Sequence, residues 1–337
     1  MLKVAILGAT GYTGRELIKI LLNHPEAQIV YLGTRREDRP QISQIHPELT
    51  GRIEAACEKL DMELVAGRTD FVFSCLPHTA SMDFVPQCLD AGLKVVDISA
   101  DYRLRDAQIY EKWYEAEHTD IQHLAESVYG LPELFADDIT KARLVANPGC
   151  YPTGAILGLA PLVSRGLIEL ENIIIDAKSG ISGAGRTPSP TLHFPECNES
   201  VAAYNVGVHR HTPEMDQILS QLAEKEISVT FVPHIVPMDR GILSTIYVHL
   251  AKEISQGEVE ELFADFYKEA PFVLLRKDDL PATKDVWGTN FCHLALRSFG
   301  RKAVIVSAID NLIKGASGQA VENMNLMAGF ERTEGLL

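Results

Sequence analysis

Short apolar runs alternate with amphipathic stretches through the first half of the chain. Two of these stretches, residues 14–24 and 81–92, have the periodicity of helices. Strands that alternate with helices in this way predict a doubly wound parallel sheet. The predicted strands are residues 3–7, 28–33, 70–76, 94–99 and 142–147.

The pattern changes after residue 150. A helix is predicted over 153–166, and the long apolar runs that follow are interrupted by helical patterns only at about 213–225 and 257–269. Long strands with few helices predict a second, α+β domain that contains a mixed or antiparallel sheet. Its predicted strands are residues 172–179, 228–236, 242–251, 291–298 and 302–310.

Charge and composition exclude several classes of protein. The 337 residues include 31 basic and 46 acidic side chains, a net charge of −15, so nucleic acid is not an expected partner. No apolar run approaches the roughly 18 residues of a membrane span, and no secretory signature is present at the N-terminus. The six scattered cysteines lack disulfide or metal-ligand spacing, which indicates reduced thiols in a cytoplasmic protein and no metal site.

Three glycines follow the first predicted strand and lead into the first helix, in KVAILGATGYTG. Glycine lets the backbone approach a pyrophosphate, and a helix N-terminus supplies N–H donors. The spacing differs from the commoner G-x-G-x-x-G, so glycines that merely form a tight turn are the alternative. The predicted dinucleotide site consists of Gly8, Thr10, Gly11, Tyr12, Thr13 and Gly14.

The end of the second strand indicates which dinucleotide is bound. An acidic residue there would favour NAD, whereas this chain presents Thr34, Arg35 and Arg36. Two guanidinium groups suit the 2′-phosphate of NADP, although Glu37 and Asp38 could instead pair with them in a solvated loop. We therefore predict NADP (NADPH) as the cofactor. Further predicted cofactor contacts are Ser74, Pro77, Ser182, Gly183 and Asn311.

A cysteine stands at the predicted turn between a strand and a helix, in VANPGCYPTG. If Pro152 lies in the first helical turn, the helix dipole favours the thiolate of Cys150. A small core cysteine is the alternative. A thiolate beside a nicotinamide can attack an acyl phosphate, expel phosphate and leave a thioester, which a hydride then reduces to an aldehyde.

Two histidines in GVHRHTPEM are candidates for the general acid/base. On an extended segment His209 and His211 would face the same side, and Thr212 and Pro213 would form the N-cap and first position of a helix. Glu214 is close enough in sequence to orient an imidazole. A two-histidine metal site lacks a third ligand with familiar spacing. The predicted catalytic residues are Cys150, His211, His209 and Glu214, with His211 favoured over His209 as the acid/base.

A second glycine-rich loop, KSGISGAGR (178–186), follows a strand of the second domain. Its backbone N–H groups suit the nicotinamide end of a cofactor or a substrate anion, and a flexible surface loop is the alternative. Arg103 in SADYRL could bind a carboxylate in a bidentate manner. The predicted substrate-binding residues are Arg103, Asn147, Lys178 and Arg186.

Five motifs together resemble those of the N-acetyl-γ-glutamyl-phosphate reductases: GATGYTG, SADYRL, NPGCYPT, KSGISGAGR and HRHTPEM. The later DNLIKGASGQAVENMN also resembles the related aspartate-semialdehyde dehydrogenases, and the likeness spans residues 3 to about 327. The resemblance implies an NADPH-dependent enzyme of arginine biosynthesis. It would convert N-acetyl-L-glutamyl 5-phosphate to the 5-semialdehyde and phosphate through a thioester on Cys150.

The resemblance also implies how the chain is organised. An NADP-binding Rossmann domain is expected over residues 1–149, completed by a C-terminal helix at 312–337. An α+β domain for catalysis, substrate binding and oligomerisation is expected over 150–311, in an assembly of two or four subunits.

Three alternative functions stay open at this point. The acyl phosphate could be aspartyl phosphate or an aminoadipate-type compound, because the acyl pocket decides between them. A non-enzymatic alternative is an NADP-binding redox sensor in which Cys150 is merely oxidised.

Overall fold

The computed structural model describes residues 1–337. It divides into two compact units, the first made of Met1–Pro148 and Ala316–Leu337 and the second of Gly149–Gly315. Up to residue 148 the elements are β1 Leu2–Leu7, α1 Tyr12–Leu21, β2 Ala27–Thr34, α2 Ile42–Ile45, β3 Glu58–Lys59, α3 Met62–Arg68, β4 Phe71–Ser74, α4 Ser81–Asp90, β5 Lys94–Asp97, α5 Ala107–Tyr114, α6 Ile121–Glu126, β6 Val128–Tyr129, α7 Pro132–Lys141 and β7 Leu144–Ala146.

The second unit begins with the longest helix. Its elements are α8 Cys150–Ser164, β8 Ile174–Ser179, α9 Phe194–Cys197, β9 Ala202–Ala203, α10 Thr212–Ala223, β10 Thr230–Ile235, β11 Ile242–His249, α11 Gln256–Phe266, β12 Val273–Leu275, β13 Cys292–Phe299 and β14 Lys302–Ile309. A π-helical segment, Ile313–Ser317, leads into α12, Gly318–Ala328, which belongs to the first unit.

The sheet of the first unit has seven strands in the order β3-β2-β1-β4-β5-β7-β6, and all its pairs are parallel. Alternate residues of β1 enter different apolar clusters. Val4 and Ile6 pack with residues of α1 and α12, whereas Ala5 and Leu7 pack with residues of α4. Helices therefore cover both faces, and the predicted doubly wound parallel sheet is confirmed.

The sheet of the second unit also has seven strands, in the order β12-β13-β14-β11-β8-β10-β9. Two pairs, β8 with β10 and β12 with β13, are parallel, and the other four pairs are antiparallel. The predicted mixed sheet is therefore confirmed. Helix α8 packs on one face, so closely that a Cβ atom at Gly158 would lie 2.9 Å from Cδ1 of Ile246.

The other face of this sheet, which we call the open sheet face, is partly exposed. In β11 the residues alternate between buried and less buried positions along the strand. Tyr247 lies across from Ile174 on β8 and from Val304 on β14, and Tyr247 and Ile174 are 42% and 38% exposed. A row of apolar side chains thus crosses the open sheet face.

Several boundaries differ from the sequence-based expectation. Helix α8 begins at Cys150 and not at 153, so the cysteine is the first helical residue. At the C-terminus α12 ends at Ala328, followed by Gly329 in the left-handed conformation, whereas the predicted helix extended to 337. Helices α5 to α7 were not predicted, because six to ten residues show too little periodicity. None of the helices has the length and apolar character needed to cross a membrane.

Candidate active site

The turn after β1 places glycines, which have no side chains, at the start of α1. Gly8 has a φ of +89°, and a Cβ atom there would lie 2.5 Å from the carbonyl oxygen of Cys75. At Gly14 a Cβ atom would lie 2.7 Å from the carbonyl oxygen of Gly8. Gly11 is the N-cap of α1, and the nearest atom to a Cβ there is 3.5 Å away. The turn therefore requires glycine at two positions and presents the N–H groups of a helix N-terminus, which suits a pyrophosphate.

The other residues predicted at this turn lie at its edge. Thr10, Tyr12 and Thr13 are all partly buried. The carbonyl oxygen of Thr13 accepts a hydrogen bond of 2.9 Å from the hydroxyl of Ser317, and the guanidinium of Arg15 lies 4.9 Å from the centre of the Tyr12 ring. The first turn of α1 is thus fixed by contacts within its own unit.

Two arginines follow β2, and the structure gives them different partners. Arg36 forms a bidentate pair with Asp38, with distances of 2.9 and 2.7 Å. This hydrogen-bonded pairing lowers the pKa of Asp38 and raises that of Arg36. The buried hydroxyl of Thr34 accepts the backbone N–H of Arg36, and Arg35 is exposed. In this structure Arg36 therefore pairs with an acidic neighbour in the loop, the alternative to phosphate binding, while Arg35 faces solvent.

Ser74 and Pro77, two further predicted cofactor contacts, lie at and beyond the end of β4. The hydroxyl of Ser74 is buried and lies 2.7 Å from that of Ser81, which donates to Asp97 at 2.8 Å. Its side chain therefore belongs to an internal polar network. Pro77 is exposed on the loop that follows.

Arg103 and Asn147, predicted to bind substrate, are both buried and make internal hydrogen bonds. Arg103 donates to the carbonyl oxygens of Asn147 (2.7 Å) and Ile98 (2.8 Å). The amide of Asn147 donates to the carbonyl oxygen of Ala316 and accepts from Asn323, both at 3.1 Å. These contacts fix the backbone after β5 and β7. We therefore do not include either residue among the proposed substrate contacts.

Cys150 occupies the first position of α8, with Gly149 as the N-cap. Its side chain is partly buried. Gly315 lies against it, since a Cβ atom at Gly315 would be only 2.8 Å from Cβ of Cys150. The thiol thus lies at the positive end of a 15-residue helix, in a position that favours the thiolate.

Glu214 and His211 both border the N-cap of α8. The carboxylate of Glu214, which is 1% exposed, accepts the backbone N–H of Gly149 at 2.7 Å. A Cβ atom at Gly149 would lie 2.6 Å from Nε2 of His211 and 2.9 Å from Oε2 of Glu214. The imidazole and the carboxylate are therefore in direct contact with the residue that precedes Cys150.

The segment that carries the two histidines is a turn and not an extended segment, the condition under which their spacing would place them on the same side. His211, not Thr212, is the N-cap residue of α10, and Thr212 and Pro213 are its first two helical positions. The rings of His209 and His211 are nevertheless 4.9 Å apart, because the turn folds them together. Burial, together with Arg210, lowers the pKa of His209 to about 4. His209 is therefore neutral at pH 7.

The second glycine-rich loop is anchored to the segment before β11. The hydroxyl of Ser182 donates to the carbonyl oxygen of Asp239 at 2.6 Å and accepts from the amide of Asn311 at 3.1 Å. Asn311 in turn accepts the N–H of Gly241 at 2.7 Å. Gly183 and Arg186 are exposed on the same loop. The structure thus brings Ser182, Gly183 and Asn311 together in the second unit.

Lys178 lies on the open sheet face. Its ammonium group is 2.9 Å from the carboxylate of Asp176, which also lies 3.1 Å from Nδ1 of His234. Lys178 therefore has an anionic partner within the sheet, and we do not include it among the proposed substrate contacts. The protein holds no group of three or more His, Cys, Asp or Glu side chains placed to bind a metal ion.

Comparisons with known proteins agree with this architecture. The NAD-binding domain of semialdehyde dehydrogenases matches residues 3–142, and their dimerisation domain matches residues 150–311. N-acetyl-gamma-glutamyl-phosphate reductases from Desulforudis audaxviator and Geotalea daltonii are 50% and 51% identical to this chain, over 100% of its length and 98% of theirs. The chain belongs to the N-acetyl-gamma-glutamyl-phosphate reductase family. The resemblance predicted from the motifs is confirmed.

Solved structures of related proteins share the fold of this reductase family member. Aspartate semialdehyde dehydrogenase II from Vibrio cholerae has a TM-score of 0.74 at 16% identity, covering 98% of this chain and 99% of that chain. Aspartate semialdehyde dehydrogenase with NADP from Candida albicans has a TM-score of 0.74 at 18% identity, covering 97% and 98%. At these identities the likeness concerns the fold alone.

Several residues of this family member's site were missed by sequence reasoning. Gly315 lies against Cys150 and Gly149 lies against the imidazole of His211. No motif rule distinguishes these two glycines from other turn glycines. Tyr151 and Tyr204 surround His209, with ring centres 5.5 and 5.4 Å from its own. The position of Tyr151 next to Cys150 was the one available signal for these aromatic residues.

Proposed function

We propose that the chain reduces N-acetyl-L-glutamyl 5-phosphate to N-acetyl-L-glutamate 5-semialdehyde and phosphate, with NADPH, as a step of arginine biosynthesis. One observation carries the chemistry: Cys150 begins a long helix, and His211 and Glu214 are in direct contact with the residue before it. The substrate is supported by the names of relatives that are about half identical over the whole chain. Reduction of aspartyl phosphate, from the same structural superfamily, is the second candidate.

Cys150 supplies the nucleophile in this proposal. Its thiolate attacks the acyl carbon of the substrate, and the C–O bond to phosphate breaks as the leaving oxygen takes the electron pair. Inorganic phosphate departs, and the acyl group remains on Cys150 as a thioester. The N–H groups of the first turn of α8 stabilise negative charge at this position, because a helix N-terminus carries unsatisfied donors.

His211 moves the protons. Its imidazole takes the thiol proton from Cys150 before attack and later protonates the substrate oxygen, taking the proton back as the C–S bond breaks. When bound, NADPH supplies the hydride that brings the thioester to the oxidation level of the aldehyde. Glu214 accepts the N–H of Gly149, the N-cap of α8, and contacts the same glycine as the imidazole, so we assign it the role of positioning both groups.

The first unit fits the cofactor that this reaction needs. Gly8 and Gly14 form a cradle that any side chain would fill, and Gly11 leaves the N-terminus of α1 open. Arg35 is exposed next to the end of β2, and Arg36 can leave its surface pairing with Asp38 for a 2′-phosphate. We also retain Gly183, which is exposed, as a proposed cofactor contact, with Ser182 and Asn311 holding its loop in place through their hydrogen bond of 3.1 Å.

Changing Arg35 and Arg36 together to alanine is expected to weaken NADPH binding much more than NADH binding. A charge-assisted hydrogen bond to phosphate contributes about 1.5–3 kcal/mol, or roughly 10- to 150-fold in affinity. The dissociation constants of both dinucleotides, measured by fluorescence titration, check this expectation. Arg39→Ala, in the same loop but not a predicted contact, is the control. Equal losses for NADPH and NADH would mean that the arginines serve the fold.

Changing Gly149 to alanine is expected to lower kcat by roughly 10²-fold, because a small displacement of a catalytic group has effects of this size. The φ of −66° allows alanine, so the effect arises from the contact at 2.6 Å with His211. Gly257→Ala is the matched control, since a Cβ there meets nothing within 4 Å. Turnover of both variants checks the contact, and equal turnover would contradict it.

The chain is also proposed to form a homodimer through the open sheet face, or a homotetramer built from such dimers. The row of Ile174, Tyr247 and Val304 is apolar and lies in the part of the chain that matches a dimerisation domain. Light scattering is expected to give two or four times the chain mass of 37.2 kDa. Tyr247→Asp should lower this mass, whereas Ile109→Asp, at an apolar position of the first unit that is 41% exposed, should not. A monomeric mass for the unchanged protein would contradict the proposal.

The reverse reaction tests the proposed function as a whole. The protein is mixed with NADP⁺, phosphate and N-acetylglutamate semialdehyde, and the formation of NADPH is followed by its absorbance. Phosphate-dependent turnover is expected with this aldehyde and much less with aspartate semialdehyde. The opposite preference would assign the second candidate, and NADPH binding without turnover of any semialdehyde would indicate a redox sensor.

A further inference from the structure

A continuous series of hydrogen bonds connects the backbone of His211 with the residue that follows Cys150. Nδ1 of His209 lies 3.1 Å from the backbone nitrogen of His211, and Nε2 of the same ring lies 3.3 Å from the hydroxyl of Tyr204. The hydroxyls of Tyr204 and Tyr151 are 3.1 Å apart. Tyr151 also lies 3.3 Å from the carbonyl oxygen of His234.

The groups at the two ends determine the direction of every bond in this series. A backbone N–H can only donate, so Nδ1 of His209 accepts and the ring carries its proton on Nε2. A carbonyl oxygen can only accept, so Tyr151 donates its proton to His234. Between them, Nε2–H of His209 donates to Tyr204, and Tyr204 donates to Tyr151. Within the series each group accepts one hydrogen bond and donates one, and all of the bonds run the same way. Tyr151 also contacts the hydroxyl of Ser179, which itself donates to the carbonyl oxygen of Gly180.

Ring contacts hold His209 in this orientation. Its imidazole is nearly perpendicular to the rings of Tyr151 and Phe231, with centres 5.5 and 5.2 Å apart. Burial keeps the ring neutral by lowering its pKa to about 4, and burial raises the pKa of Tyr204 to about 12. His209 and both tyrosines thus stay uncharged around pH 7, and the direction of the bonds is preserved.

We propose that His209, Tyr204 and Tyr151 form a one-way hydrogen-bond chain that fixes the position of His211 relative to Cys150. His209 is then a positioning residue with a fixed tautomer and does not transfer protons itself. The proposal rests on the proposed function, in which His211 is the acid/base. The chain begins at the N-cap of α10 and passes through Tyr151, the second residue of α8, so it sets the separation of the two catalytic groups.

Two substitutions of His209 separate positioning from proton transfer. His209→Phe keeps a ring but removes both hydrogen bonds, and kcat is expected to fall by roughly 10²-fold with little change in KM. His209→Asn places an acceptor near the position of Nδ1 and keeps the bond from the N–H of His211, but it lacks the bond to Tyr204, so it should recover all but a several-fold part of this loss. The pH profile of kcat/KM should keep the ionisation of His211 in both variants. His193→Phe, an exposed histidine of the same unit, is the control.

Tyr204→Phe tests the direction and continuity of the chain. In the unchanged protein it should lower kcat several-fold, because His209 loses the acceptor for its Nε2 proton. In the His209→Asn background the same change should have no further effect, since the donor is already absent. Additive losses in the double variant would overturn the chain.

Alkylation of Cys150 by iodoacetamide, followed by mass spectrometry of its peptide, gives a readout that needs no substrate. The alkylation rate near pH 7 should fall in His209→Phe and recover in His209→Asn. If the unchanged protein lacks reductase activity, the proposed function fails, and this measurement still tests the chain. Loss of an ionisation from the pH profile in His209→Phe would make His209 the proton carrier. Equal losses in the Phe and Asn variants, or no loss in either, would equally overturn the proposal.

Discussion

Replacing Cys150 by serine is expected to abolish reduction of the acyl phosphate while NADPH still binds. A serine hydroxyl at this helix N-terminus stays protonated at neutral pH and is a much weaker nucleophile, whereas the proposed mechanism needs the thiolate that His211 generates from a thiol. The cofactor cradle around Gly8 and Gly14 belongs to the other unit of the chain, so the substitution leaves it intact. Turnover and NADPH titration of the Cys150→Ser variant check the two parts of this expectation.

Trapping provides the direct form of the same test. Incubation with the acyl phosphate in the absence of NADPH should add one acyl group to the peptide that contains Cys150. Cys197→Ser is the matched control, because Cys197 is a buried thiol of the same unit without a proposed role, and it should leave both turnover and acylation unchanged. A Cys150→Ser variant with normal turnover would disprove the thioester mechanism.

The fold of both units could be predicted because their strands are long or strongly apolar. Parallel strands buried on both faces read as continuous apolar runs, and β11 and β14 are eight residues long. Residues 107–141 gave no prediction. Their helices are short, and each takes its place from packing between elements that are distant in sequence. Periodicity within six to ten residues does not record such packing.

The candidate site could be predicted where one local rule was sufficient. Gly8 and Gly14 are required by the turn itself, and Cys150 could be singled out by its position at the start of a helix. Arg103 and Asn147 are different, because their polar groups bind backbone atoms of residues as distant as Ala316. A linear sequence shows which side chains can form bidentate or amide contacts. It does not show which carbonyl groups need a donor after folding.

The aromatic surroundings of the histidines lay beyond the sequence for the same reason. Tyr204 and Phe231 approach His209 because the segment of residues 205–211 forms a turn, which the spacing of the two histidines does not indicate. This turn also brings the rings of both histidines together, 4.9 Å apart. The spacing of two residues suggested equivalent rings, but the structure makes one ring an internal hydrogen-bonding group and brings the other to the N-cap of α8.

Changing His211 to asparagine is expected to lower kcat by about 10²–10⁴-fold, the usual effect of losing a positioned general acid/base. Asparagine can still serve as the N-cap of α10, so the helix should remain and the loss should reflect the missing proton carrier. NADPH affinity is expected to stay unchanged. The steady-state rate as a function of pH checks the assignment, because the ionisation seen in the unchanged protein should disappear in His211→Asn.

We choose His211 over the other histidines of the second unit because it contacts Gly149, the residue before Cys150. His234 lies 3.1 Å from Asp176 on the open sheet face, so His234→Asn is the control and should retain most activity. Glu214→Gln should produce an intermediate loss, because the amide oxygen still accepts the N–H of Gly149 but no longer favours a charged imidazole. A normal rate in His211→Asn together with a large loss in His234→Asn would show that the proton carrier is His234 on the sheet and not His211 at the N-cap of α8.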